Sequence, residues 1–282
     1  MRFGHVIGDP AGLGWPAVRD EAGAADDAGI EIVYLRSPAS IEFAGALSAQ
    51  TRDVSIAVDV ELGEIHPVVS AERVAVADRL LGGRLIAVLR PATGSEAAFA
   101  EAVEIVMRSL APRPFSHGGP TWVVPARLPG NEHSRDTEVR VMPAPAQVDL
   151  PLWIDDVEVA REFALSPMSM VERGADELGE EWRATVDGLG ERRLLRLRRP
   201  GLVAVPADAW LDPEPLVVTL REHRDAWGMD VALLEPSAGW GLEARMEHLE
   251  RLASMVVPRL QLGRYPTGLE DVWKRESRRE WT

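Results

Sequence analysis

Apolar and polar residues alternate along the chain in blocks that predict strands and helices in turn. The clearest block runs from Val54 to Pro91. Val54 to Val60 reads as a strand, followed by a short turn at His66-Pro67. A helix follows over Val68 to Leu81, then a Gly82-Gly83-Arg84 stop and a second strand over Leu85 to Leu89. A strand, a helix and a second strand at this spacing predict a parallel pair with a crossover helix. Most of the remaining chain reads as further copies of this unit.

Before that block, residues 2–7 form a strand ending at the turn Gly8-Asp9-Pro10. Trp15 to Ala28 is a helix with Pro16 in its first turn and Gly29 as its stop. Ile30 to Leu35 is the second strand, and Ser40 is the expected N-cap of a helix from Ile41 to Gln50. After the block, Ser95 to Leu110 is a helix with Phe99, Val103, Val106 and Leu110 on one face. The pattern then breaks. From Ala111 to Leu150 the chain is proline-rich, with two short β-like pieces at Thr121 to Val124 and Glu138 to Met142, an expected hairpin excursion.

Pro151 to Ile154 resumes as the fifth barrel strand, and Asp155-Asp156 opens the helix Val157 to Phe163. Ser166 to Val171 is read as a strand and Ala175 to Leu189 as a helix. Leu195-Arg196-Leu197-Arg198 alternates as a strand would, and Leu202 to Val205 continues extended. Pro215 to Trp227 is helical, Met229 to Leu234 is the last strand and Leu242 to Leu260 the last helix. The expectation is one (β/α)8 TIM-type barrel domain over residues 1–262. It carries a hairpin insertion before strand 5, a shortened C-terminal half and a tail at 263–282.

The helix from Val68 to Leu81 is apolar on more than one side. A helix that covers a barrel needs one apolar stripe, so the second predicts a subunit contact and a dimer. Composition narrows the function. At 282 residues the chain has the length of such a barrel. It has no cysteine, which excludes disulfides and thiolate metal sites. A net charge of −14 argues against nucleic acid or an anionic membrane as the partner. No apolar run reaches the ~18 residues of a membrane helix. A cytoplasmic protein is expected. The six histidines are not at metal-ligand spacing, so no metal is expected. There is no Gly-x-Ser-x-Gly elbow, Walker loop or dinucleotide fingerprint.

A barrel places its site on the loops after the strands. There His66 is a candidate proton-transfer group, its alternative being a turn residue that fixes the helix start. Asp59 and Glu61 lie near the same loop, and either is a candidate proton acceptor if desolvated. Trp153 is a candidate stacking surface, with core packing as the alternative.

Several stretches taken together resemble the luciferase-like flavin-dependent oxidoreductases. They are "LSAQTRDVSIAV", "HPVVSAERVAVADRLLGGRL", "FAEAVEIV", "FSHGGPTWVV", "VMPAPAQVDLPLWI" and "LERLASMVVPRL". Their order and spacing carry the resemblance, which covers most of residues 1–155 and again 240–260. It implies an eight-stranded α/β barrel, dimeric as a homodimer or with a related chain. It implies reduced FMN or a deazaflavin at the mouth, and oxygen insertion or hydride transfer on a small organic substrate. On that basis Arg36 joins His66 and Asp59 as catalytic candidates, and Val58, Arg90 and Trp153 line the cofactor. Arg196 and Arg198 are candidates for its phosphate.

The chain departs from the family at three mouth loops. Leu35-Arg36-Ser37-Pro38 lacks the histidine that often follows the second strand, and Val88-Leu89-Arg90-Pro91-Ala92 lacks a glycine-rich turn. Asp155-Asp156 stand where Gly and Ser before a helix suit a phosphate. One carboxylate facing a phosphate charge at ~4 Å costs about 4 kcal/mol at an effective dielectric of 20. A non-catalytic homologue that serves as a partner subunit or a small-molecule binder is therefore the alternative.

Overall fold

The computed structural model describes residues 1–37, 40–125, 137–168, 175–186, 197–206, 208–209, 212–237 and 239–261. The strands are β1 (Arg2–Gly8), β2 (Ile32–Arg36), β3 (Ser55–Leu62), β4 (Leu85–Pro91), β5 (His117–Gly118), β6 (Val123–Val124), β7 (Leu152–Ile154), β8 (Ser166–Pro167), β9 (Pro200–Ala204) and β10 (Val231–Glu235). The helices are α1 (Pro10–Leu13), α2 (Trp15–Asp27), α3 (Ser40–Leu47), α4 (Pro67–Leu80), α5 (Glu96–Leu110), α6 (Val157–Phe163), α7 (Ala175–Val186), α8 (Glu214–Trp227), α9 (Leu242–Arg251) and α10 (Val257–Gln261). A π-helical turn, Leu252–Val256, joins the last two into one continuous helix.

Eight strands form one parallel sheet in the order β8-β7-β4-β3-β2-β1-β10-β9. Where its two ends approach, the Arg198 N–H donates to Ser166 Oγ at 2.8 Å. The result is a nearly closed α/β barrel of the TIM type, as the alternating pattern predicts. β5 and β6 stand apart as an antiparallel hairpin ahead of β7, the fifth barrel strand. Its pairing differs from the sequence reading. His117-Gly118 pairs with Val123-Val124, and Val139 of the second expected piece bridges Phe115 instead.

Strand alternation builds two concentric cores. Val6, Ile32, Tyr34, Ala57, Val88, Trp153 and Leu233 fill the barrel interior. Phe3, Ile7, Leu35, Ile56, Val58 and Leu89 face the helices. Each fully buried side chain of this size contributes roughly 1.5–3 kcal/mol of transfer free energy. Gly4 is required inside the barrel because a Cβ there would run into Leu233 and Ile32.

Side chains tie the excursion down. Gln147 donates from its backbone and its amide to Asp78 of α4 at 2.9 and 2.8 Å, and to the Leu85 carbonyl at 2.8 Å. Glu101 of α5 accepts from the Trp122 and Thr121 N–H groups at 2.9 and 3.1 Å and meets His117 at 3.0 Å.

Some boundaries differ from the sequence reading. Ser40 does not cap its own helix. Its hydroxyl accepts the Asp59 N–H at 3.0 Å, so a hydroxyl close to a neighbouring strand goes to that strand. The strand read over Ser166 to Val171 is only Ser166–Pro167 among the described residues. Of the alternating run Leu195 to Arg198, Leu197 and Arg198 are described and precede β9, which begins at Pro200. Residues 187–196 and the tail at 263–282 lie outside the described residues.

Candidate functional site

The C-terminal ends of the barrel strands converge on a set of charged side chains. Tyr34, Asp59 and Arg90 come from β2, β3 and β4 at positions that face inward by strand parity. The Tyr34 hydroxyl donates to Asp59 Oδ1 at 2.5 Å. Arg90 Nη1 donates to Asp59 Oδ2 at 3.0 Å, and Arg90 Nε lies 3.7 Å from Asp155 at the end of β7. Across the mouth, Arg36 Nη1 donates to Glu235 Oε1 at 2.6 Å. Gly8 of β1 stands between those two strands with no side chain.

Asp59 is buried, and burial pushes its carboxyl above the usual carboxylate range. The Tyr34 hydroxyl and the Arg90 guanidinium pull the other way and do not overcome the loss of water. Burial, and then the Asp59 charge, hold the Tyr34 phenol above its ordinary value. Burial works against the charge on Arg90, yet Asp59 and Tyr34 keep its pKa above the ordinary value. Asp59 is thus a carboxyl shifted upward by burial inside a fixed hydrogen-bond frame, the kind of perturbed group that marks a candidate proton-transfer site.

Of the sequence candidates, the structure brings Asp59, Arg90 and Arg36 together at the mouth. Trp153 lies one layer below, buried in the barrel interior, and its Nε1 has no hydrogen-bond partner. Val58 does not join them. It lies between two inward positions of β3 and is buried against the helices. His66 caps α4 by accepting the Val68 N–H at Nδ1, 3.3 Å, which is the turn role. Its ring sits edge-on to Trp122 of the hairpin at 5.1 Å. Arg198 lies at the opposite, N-terminal end of β9, 3.7 Å from Asp230, because the strand begins after it. Arg196 falls outside the described residues. Tyr34 and Glu235 were not singled out by the sequence. Their signal was parity: each is on an inward position of its strand, at or near the mouth.

The end of β7 does not fit a phosphate. Asp156 caps α6 itself, accepting the Val159 N–H at 2.9 Å, and Asp155 stands beside it. Two cavities open near this rim. One, of about 90 Å³, lies by Asp59, Glu61 and Ser70. The other, of about 80 Å³, lies by Asp155, Asp156 and Trp182. Both are below the roughly 300–1,000 Å³ of a small-molecule site. Among the described residues no three His, Asp or Glu side chains gather as metal ligands, and no helix is long and apolar enough to cross a membrane.

A second buried charged group lies outside the barrel, between β1, α2 and α9. His5 Nε2 meets Glu21 Oε1 at 2.7 Å, and Arg245 Nη2 lies 3.1 Å from Glu21 Oε2. His248 is buried beside them, edge-on to Trp240 at 4.9 Å, with neither ring nitrogen hydrogen-bonded. Burial, and then the nearby His5, push His248 down to about 4.

No protein-family model matches the sequence, and no curated protein matches it. Solved structures do match. The monooxygenase RslO1 from Streptomyces bottropensis superposes with a TM-score of 0.73 at 16% identity, over 92% of this chain and 100% of that one. The oxygenating constituent of 3,6-diketocamphane monooxygenase from Pseudomonas putida, a type II Baeyer-Villiger enzyme in complex with FMN, gives 0.69 at 15% identity, over 92% and 98%. The coenzyme F420 dependent tetrahydromethanopterin reductase from Methanopyrus kandleri gives 0.71 at 13%, over 92% and 99%. At these identities the likeness is one of fold, an α/β barrel shared over nearly the whole length of each chain.

Proposed function

We propose that the chain is an oxidoreductase or monooxygenase of the luciferase-like kind, taking a reduced flavin or a deazaflavin and a small organic substrate at the barrel mouth. The Tyr34–Asp59–Arg90 group carries this reading. A buried carboxyl kept above its usual range, framed by a phenol and a guanidinium, is costly to the fold and is placed where barrels do chemistry. The whole-length likeness to barrels named as monooxygenases and a reductase adds support. Tyr34 and Arg90 position the Asp59 carboxyl, and Asp59 holds or accepts the proton.

The test is a titration of the full chain, under anaerobic conditions, with oxidised and reduced riboflavin, FMN and a deazaflavin. Binding tighter than ~10 μM, about −7 kcal/mol, is the expected result. A folded protein that binds none of them overturns the reading. The second reading, a non-catalytic homologue acting as partner subunit or small-molecule binder, is favoured by one observation, the Asp155-Asp156 pair at α6. It predicts that no flavin binds the isolated chain and that a related chain co-purifies with it.

A dimer is part of the proposal, either of two copies or with a related chain. Val69, Val76 and Leu80 are exposed along the outer face of α4, beside Gly45 of α3. Val76→Arg with Leu80→Arg is expected to yield monomers in sedimentation. A wild-type chain that sediments as a monomer contradicts it.

A further inference from the structure

The mouth is acidic in its side chains and at three of its helix ends. Among the described residues, Asp59, Glu61, Asp155, Asp156 and Glu235 stand there with the guanidiniums of Arg36 and Arg90, and Arg73 of α4 at the rim cavity is paired with Glu42. Arg36 and Arg90 already have carboxylate partners. A helix N-terminus is the ordinary place for an anion, since its N–H groups are free and its dipole end is positive. Here α5, α6 and α8 follow mouth loops with Glu96, Glu158 and Glu214 in their first turns. At α6 the Asp156 carboxylate takes the Val159 N–H for itself. One layer below Asp155, inside the barrel, Trp153 keeps a buried indole N–H with no acceptor. That donor suits a neutral carbonyl and does nothing for a phosphate at the rim.

We propose that this mouth takes an unphosphorylated ring, riboflavin or its deazaflavin counterpart, in preference to FMN. The inference rests on the flavin reading above and sharpens it. The charge set against FMN is the Asp155-Asp156 pair, which occupies the N-terminus of α6 at the mouth and leaves that helix end with no welcome for a phosphate. The isoalloxazine carbonyls carry no net charge and are indifferent to it.

The experiment is a pair of calorimetric titrations of the full chain, with riboflavin and with FMN. Riboflavin is expected to bind about ten-fold tighter or more at low salt. The gap should narrow at roughly 0.5 M salt, where charges are screened within a few ångströms. Asp155→Asn with Asp156→Asn is expected to close most of it by strengthening FMN. Asparagine caps a helix about as well as aspartate, so α6 is retained, and Asp155→Asn alone serves if the double variant does not fold. FMN binding as tightly as riboflavin to the wild-type chain overturns the proposal. A gap that the substitutions leave unchanged overturns the role given to the two carboxylates. Binding of neither flavin overturns the flavin reading itself, and this inference with it.

Discussion

The molecule buries two ionic groups, and they differ in how well they are satisfied. At the mouth, both Asp59 oxygens are paired, one to Tyr34 and one to Arg90. Behind β1, the Glu21 carboxylate is shared between His5 and Arg245, while His5 Nδ1, Arg245 Nε and both nitrogens of His248 lack partners. The mouth group is edged by partly exposed arginines, so water and ligands reach its rim. The rear group is sealed between barrel and helices. A buried charge whose partners are incomplete costs stability and is easily upset. The rear group is closed off and bears on the fold's stability, while the mouth group is the one a ligand can reach.

The strongest way to break that contrast is Glu21→Ala. It leaves the buried Arg245 guanidinium without its carboxylate, and about 3–5 kcal/mol should be lost in urea unfolding. Flavin binding by the molecules that remain folded should be unchanged. A stable variant that no longer binds flavin would reverse the two roles.

The next largest effect is a pH dependence. His248 has a folded pKa of about 4 against 6.5 when free. Above 6.5 it is neutral in both states and the stability is full. Between 6.5 and 4 the unfolded chain binds the extra proton, so stability falls with pH, by on the order of 3 kcal/mol in all. Melting temperature followed from pH 7 to 4 reads this. His248→Leu should flatten the slope.

Gln147→Ala removes two side-chain hydrogen bonds and leaves Asp78 short of one partner. A loss of about 1–3 kcal/mol is expected in the same unfolding assay. The smallest effect should be that of Trp153→Phe. It keeps an aromatic ring in the barrel and removes an N–H that has no acceptor, so stability should change by about 1 kcal/mol or less. A large loss would mean that the indole N–H is bonded after all.

The N-terminal half of the barrel was legible because its strands are long and regular. β1, β3 and β4 run seven or eight residues, enough for alternation to show. β7 and β8 have three and two among the described residues, too few for a period. The mouth was legible as a set of strand ends, which pointed to Asp59, and the resemblance added Arg36 and Arg90. Val58 is one residue out of the inward register that holds Ala57 and Asp59, so it faces the helices and not the mouth. Tyr34 was hidden inside an apolar run, Ile32 to Leu35, where a phenol reads as one more core residue. Ser40 passed for an ordinary cap because sequence shows a hydroxyl but not the strand beside it. Arg198 was drawn to the mouth by an alternating pattern that extends N-terminal to β9, and position along the strand decided otherwise.

The account rests on the mouth around Asp59 being the ligand site. A crystal structure of the full chain grown with riboflavin tests that most directly. The account predicts the ring over Asp59, Arg36 and Arg90, above Trp153, with its ribityl chain ending clear of Asp155 and Asp156. A ring bound elsewhere, or a mouth still closed by the Arg36–Glu235 and Arg90–Asp59 pairs in a chain that has taken up the flavin, would contradict it.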